Sequence, residues 1–145
     1  MKKKRILALF LAAVSCLSLA VSASAAGTTT RKATDFKDYD RTAWYAEAVS
    51  AAVDNGLLYG KSSTMLDPNG DMTRAEMAAI INRSFGCYVK ADISKYKDVS
   101  KDKWYFEDVA MAVQMGTYNG RSNTAMAPDA PITREEAMTV VARAL

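Results

Sequence analysis

Apolar positions along the chain fall into one continuous run and several periodic ones. The continuous run, Ile6 to Val21, follows the cluster Lys2-Lys3-Lys4-Arg5 and gives way to Ser22-Ala23-Ser24-Ala25-Ala26. A basic start, a short apolar core and an Ala-x-Ala close predict a secretory signal peptide over 1–25, cut before Ala26. The core is shorter than the roughly 20 residues that span a bilayer. A lipoprotein box at Ala13-Val14-Ser15-Cys16 fits less well, because Ala13 is small where a larger aliphatic is usual and the apolar run continues past Cys16. A linker over 26–35 leads to the periodic part.

There, Trp44, Ala48, Ala52 and Val53 recur at helical spacing and predict a helix, which Gly56 ends as a residue tolerant of left-handed backbone. A loop with two glycines and a proline follows. Thr73-Arg74-Ala75-Glu76 then has the Thr-x-x-Glu spacing of a capping box, and Met77, Ile80, Ile81 and Phe85 supply the apolar face of a second helix. Shifting the chain by 60 positions lays Phe36–Arg83 on Tyr96–Arg143 without a gap, and 17 of the 48 pairs are identical. About three would coincide by chance.

The second copy repeats the pattern, with Trp104, Gly116, Pro128, the box Thr133-Arg134-Glu135-Glu136 and the face Ala137, Val140, Val141 and Leu145. Thr42 in one copy and Asp102 in the other are placed to cap the first helix. The expected organisation is all-α: one helix–loop–helix repeat over 36–83, a linker over 84–95 and a second repeat over 96–145. A unit of about 50 residues is too small to hold together without disulfide or metal. The two must therefore pack on each other or on a partner.

Composition narrows the chemistry. The 145 residues include no histidine, which removes Ser-His-Asp and Cys-His hydrolase sites and His-containing zinc sites. No nucleophile–base pair stands out, and no cofactor is implied. The formal charge of +3 belongs to the leader: beyond residue 25, 15 Lys and Arg face 16 Asp and Glu. Neither nucleic acid nor an anionic membrane surface is then indicated as a partner, and no transmembrane segment is expected after cleavage. Cys87 becomes the sole thiol, either an inert buried residue or a point of intermolecular pairing. Asp67-Pro68-Asn69-Gly70-Asp71 lacks the Gly and Glu of a calcium loop, so no metal is expected. Gly56 to Ser62 is one residue short of a phosphate loop.

These residues resemble a pair of S-layer homology (SLH) domains. The opening Phe-x-Asp-Val-like element is Phe36-Lys37-Asp38-Tyr39 and Tyr96-Lys97-Asp98-Val99. Trp-Tyr is Trp44-Tyr45 and Trp104-Tyr105. The closing Ile-Thr-Arg-Ala-Glu is Met72-Thr73-Arg74-Ala75-Glu76 and Ile132-Thr133-Arg134-Glu135-Glu136. The aromatic usual before the proline loop is Leu66 in one copy and Met126 in the other. The resemblance implies a secreted, non-catalytic module at the bacterial cell wall, in the S-layer. It would bind secondary cell-wall polysaccharide, often pyruvylated, or modified peptidoglycan. It also implies two prongs of a pseudo-threefold, three-pronged body, and makes Arg74 and Arg134 the family's best-known ligand contacts.

Each candidate site residue has a structural alternative. Arg74 and Arg134, beside the capping Thr73 and Thr133, sit where a helix N-terminus favours an anion and a guanidinium adds a planar fork for a carboxylate. Alternatively they brace the loop through Glu76, Glu136 or a carbonyl. Trp44 and Trp104 could stack on a sugar, but an aromatic at the start of an amphipathic helix reads as core; Tyr45, Tyr59, Tyr105 and Tyr118 are left open. Asp38 and Asp98 suit sugar hydroxyls or turn amides, and Lys61 and Arg121 place a cation in the loop of each copy. The alternative to glycan anchoring is a structural role, supplying prongs to a homo-oligomer or to another SLH protein.

Overall fold

The computed structural model describes residues 31–145, so the expected leader and the first residues of the expected linker lie outside the described residues. A short 3-10 turn at Ala33–Asp35 precedes four helices: α1 (Ala46–Asp54), α2 (Arg74–Phe85), α3 (Phe106–Gln114) and α4 (Arg134–Ala144). Among the described residues there is no strand, and one isolated antiparallel bridge joins Thr73 to Pro131. The architecture is all-α, in two helix–loop–helix repeats.

Thr42 and Asp102 do not cap the first helices. These begin later, at Ala46 and Phe106, behind Tyr45 and Tyr105, neither of which offers a side-chain cap. Local turn chemistry is the reason. Asp40 Oδ1 accepts from both the amide and the hydroxyl of Thr42, at 2.8 and 2.7 Å, while the Ser100 hydroxyl donates to Asp102 in the second copy. Such side chains offer the backbone an alternative to the helix. The helix ends follow expectation, with Gly56 and Gly116 at φ 69° and 80°. Both capping boxes form, each Thr hydroxyl accepting from the Glu amide at 3.2 Å and each Glu carboxylate accepting from the Thr amide.

The core is unevenly shared. A small cluster in the first repeat joins Phe36, Val53 and Leu66 to Ala33. The larger one crosses the repeats: Ala75, Ala78 and Ile81 of α2 pack with Val109, Ala110 and Ala112 of α3. α2 thus faces the second repeat. Its apolar stripe ends before Phe85, which is 44% exposed, as α4's ends before Leu145. The connecting segments are packed rather than loose, since Ala33 and Ile93 are buried and the Ala91 amide donates to the Ala110 carbonyl at 3.1 Å.

One loop design appears twice. Asp38 accepts from the amides of Leu66 and Asp67 at 2.9 and 2.7 Å, and Asp98 does the same for Met126 and Ala127. The Leu66 amide outweighs the opposing effect of desolvation, and with the Asp67 amide it holds the Asp38 carboxyl below the usual range. To aim both amides at one carboxylate, Asp67 and Ala127 adopt φ of 54° and 55°. Gly60 and Gly120 lie so close to the Phe36 and Tyr96 rings that a Cβ would collide with them.

Left-handed backbone at an alanine costs roughly 1 kcal/mol. Ala127→Gly is therefore expected to raise stability in urea unfolding by up to about 0.5 kcal/mol, once glycine's greater unfolded-state entropy is deducted. Ala127→Val is expected to lower it.

Candidate functional site

Arg74 leaves its own repeat. Projecting from the first turn of α2, it is 5% exposed and ends in the loop of the second repeat. Its Nη1 meets Glu136 Oε1 at 2.9 Å, its Nε donates to the Met126 carbonyl at 3.1 Å and its Nη2 to the Asn119 carbonyl at 3.3 Å. The guanidinium lies 5.1 Å from the Tyr118 ring centroid. The backbone reinforces this clasp. The amides of Arg74 and Ala75, orphaned at a helix start, donate to the Ala130 and Pro128 carbonyls at 3.0 and 2.9 Å. The Ile132 amide donates to the Met72 carbonyl at 2.9 Å. Of the two roles open to Arg74, the bracing one is occupied.

Arg134 differs entirely. It is exposed and makes no hydrogen bond or ion pair through its side chain among the described residues. The identical residue thus holds a junction in one copy and stands free in the other.

Of two clefts among the described residues, Arg74 lines the one in the second repeat and Arg134 lines neither. The second-repeat cleft, about 320 Å³, is lined by Arg74, Tyr118, Arg121, Glu136, Val140 and Arg143. Arg121 contacts both Glu136 oxygens at 3.1 Å, and Arg143 reaches the Thr117 carbonyl at 3.5 Å. Burial by itself would raise the Glu136 pKa, but Arg121's hydrogen bond, the Thr133 amide and the charge of Arg74 bring it below the usual carboxylate range. The Tyr118 hydroxyl is buried in the wall without a partner, and burial pushes its pKa up to about 12, so it remains an O–H donor.

The first-repeat cleft is larger, about 590 Å³, and more apolar, with Trp44, Leu58, Tyr59, Leu66, Ile80 and Trp104 on its walls. Lys61 bonds Glu76 at 2.8 Å and the Asp71 carbonyl at 2.9 Å. Burial opposes ionisation of Glu76 as well, but Lys61 and the Thr73 amide keep its pKa low. Arg83 stands over the Tyr59 ring at 4.2 Å and donates to the Leu57 carbonyl.

The tryptophans are not core. Trp44 is 95% exposed and Trp104 60%, each in an edge-to-face contact with the following tyrosine, at 5.7 and 5.4 Å. They precede the helices, so the inward register falls to Tyr45 and Tyr105 instead. Thr73, Thr133, Asp38 and Asp98 are engaged with backbone amides, as caps and loop anchors. Cys87 is half-buried, its thiol 3.5 Å from the Met111 carbonyl. Arg83 and Arg143 are site residues that sequence reasoning misses, although identity at the 60-residue shift marks both, and it offers Glu136 only as a brace for an arginine.

Known proteins share this duplicated unit. The S-layer homology domain model matches residues 35–78 and again 95–138. The chain belongs to the S-layer homology domain family. SLH repeats make it a cell-surface anchoring module, associated with the cell wall. It is 36% identical over 115 residues to a surface-layer 125 kDa protein of Lysinibacillus sphaericus, a match covering 77% of this chain and 10% of that one. It is 30% identical over 141 residues to a cell surface protein of Thermoanaerobacter kivui, covering 93% and 18%. An endoglucanase of Bacillus sp. (strain KSM-635) is 27% identical over 143 residues, covering 97% and 15%. The SLH chain therefore spans less than a fifth of the length of each of these relatives. No helix among the described residues is long and apolar enough to cross a membrane.

Two expectations follow from the clasp. Arg74→Ala leaves Glu136 and two carbonyls short of a buried partner and should cost roughly 2–4 kcal/mol in urea unfolding, whereas exposed Arg134→Ala should stay within about 0.5 kcal/mol. Because Glu76 and Glu136 have lowered folded pKa values, the stability they contribute is present above the ordinary value of 4.5 and is lost as pH falls through the depressed ones. Thermal midpoints measured from pH 6 down to pH 2 should fall across that window, and less so for Glu136→Gln.

Proposed function

We propose that this SLH module anchors non-covalently to an anionic secondary cell-wall polysaccharide, pyruvylated or similarly acidic, or to modified peptidoglycan, without catalysis. The convergence of three guanidinium groups on the second-repeat cleft supports the reading. Arg121 and Arg143 are the exposed donors, Arg74 supplies a fixed charge behind them, and the unpartnered Tyr118 hydroxyl adds a neutral donor. Planar forks of this kind match a carboxylate better than a point charge does. The exposed faces of Trp44 and Trp104, at the mouth of the first-repeat cleft, suit stacking on sugar rings, with Lys61 nearby. Arg134 stands at an open helix start, which also favours an anion.

In this reading Thr73, Thr133, Asp38 and Asp98 shape the clefts rather than touch the glycan. Glu76 and Glu136 cap helices and hold the cations in place.

Co-sedimentation with purified wall sacculi tests the proposal. Binding is expected to vanish when the secondary polymer is stripped from the sacculi, and undiminished binding would sink the polysaccharide assignment. Arg121→Ala combined with Arg143→Ala should weaken binding at least tenfold while leaving the urea midpoint nearly unchanged. Trp104→Ala should weaken it several-fold.

A further inference from the structure

The junction between the repeats is a template that the chain uses once and offers again. On the first-repeat side stands a plug: the Arg74 guanidinium, the amides of Arg74 and Ala75, and the Met72 carbonyl. On the second-repeat side lies its socket: the carbonyls of Asn119, Met126, Pro128 and Ala130, the Ile132 amide and the Glu136 carboxylate.

Shifted by 60 residues, each set has a counterpart at the other end of the molecule. The second repeat carries a free plug. Arg134 is exposed, neither its amide nor that of Glu135 has a carbonyl partner among the described residues, and Met138 is 65% exposed where its counterpart Ala78 is fully buried. The first repeat carries a free socket in the carbonyls of Tyr59, Leu66, Pro68 and Gly70, the Met72 amide and the Glu76 carboxylate. None of these carbonyls accepts a backbone hydrogen bond among the described residues.

Charge and volume agree with a missing occupant. Glu136 holds two cations, Arg74 and Arg121, whereas Glu76 holds one, Lys61. The cleft that contains the arginine measures about 320 Å³ and the one without it about 590 Å³.

We propose that the chain associates head to tail with a second copy of itself, Arg134 of one copy entering the first-repeat socket of the next and pairing there with Glu76. The contact is heterologous, because plug and socket are different surfaces. The bound copy adds a guanidinium to a cleft that otherwise has only Lys61 and Arg83, so the first-repeat cleft comes to match the second.

Sedimentation velocity of the full chain as secreted, from micromolar to millimolar and without glycan, tests this separately from wall binding. Mass above the monomer is expected to grow with concentration. Arg134→Ala and Glu76→Gln should each weaken association at least about thirtyfold. Glu76→Gln retains a Thr-x-x-Gln capping box, so circular dichroism should show both variants folded. An equimolar mixture should recover a dimer and nothing larger, since only the Arg134 of the Glu76→Gln copy finds an intact socket, in the Arg134→Ala copy. A monomer at millimolar concentration, a dimer indifferent to Arg134→Ala, a mixture that stays monomeric, or association solely with a different SLH protein would each overturn the proposal.

Discussion

Arg74 crosses from one repeat to end against Glu136, and that carboxylate also closes the capping box at the start of α4. One acidic side chain therefore serves two structures. It accepts from the Thr133 amide at 3.1 Å and pairs with Arg74 at 2.9 Å. A repeat of about 50 residues is marginal by itself, and the larger apolar cluster, which α2 forms with α3, spans both repeats. The clasp converts two marginal units into one body. Arg74 is nearly buried, so its loss leaves acceptors without water to replace it, which makes the contact selective as well as stabilising.

The loops are built on a second constraint, a single carboxylate facing two successive amides. Asp38 and Asp98 each draw the chain into left-handed backbone at a residue that is not glycine, Asp67 or Ala127. In the second repeat this turn presents the Met126 carbonyl to Arg74. Local strain in the loop and long-range docking are thus linked through one peptide. Lys37 and Lys97 close the same loops by donating from their amides to the Thr64 and Thr124 carbonyls at 3.0 and 2.9 Å.

Much of this was legible in the sequence because it is local. The 60-residue period, the two Thr-x-x-Glu boxes and the left-handed glycines are short-range patterns with few alternatives. The start of the first helices was not, since Asp40 with Thr42 and Ser100 with Asp102 form turns whose donors and acceptors are exchanged between the copies. The tryptophans read as core because helical spacing includes position 44, although the helix begins two residues later and leaves the indole outside. The role of Arg74 was open for a deeper reason. Arg74 and Arg134 share a motif, and no motif records which copy has a neighbour.

That last point explains the difference between the clefts. A repeat built to donate at one end and accept at the other has a direction, so two repeats in a row satisfy one junction and, among the described residues, leave one plug and one socket unmatched. The smaller cleft, in the second repeat, has Arg74 in its wall together with Tyr118, Arg121 and Arg143. The wider, more apolar one has no counterpart to Arg74, and Leu58 stands where Tyr118 stands. The differences between the copies fall on unequal surfaces. Thus Tyr118 and Arg121 sit beside a fixed guanidinium, while Leu58 and Lys61 line an open cavity. The asymmetry follows from position in a directional array, and it arises even from two copies of a single unit.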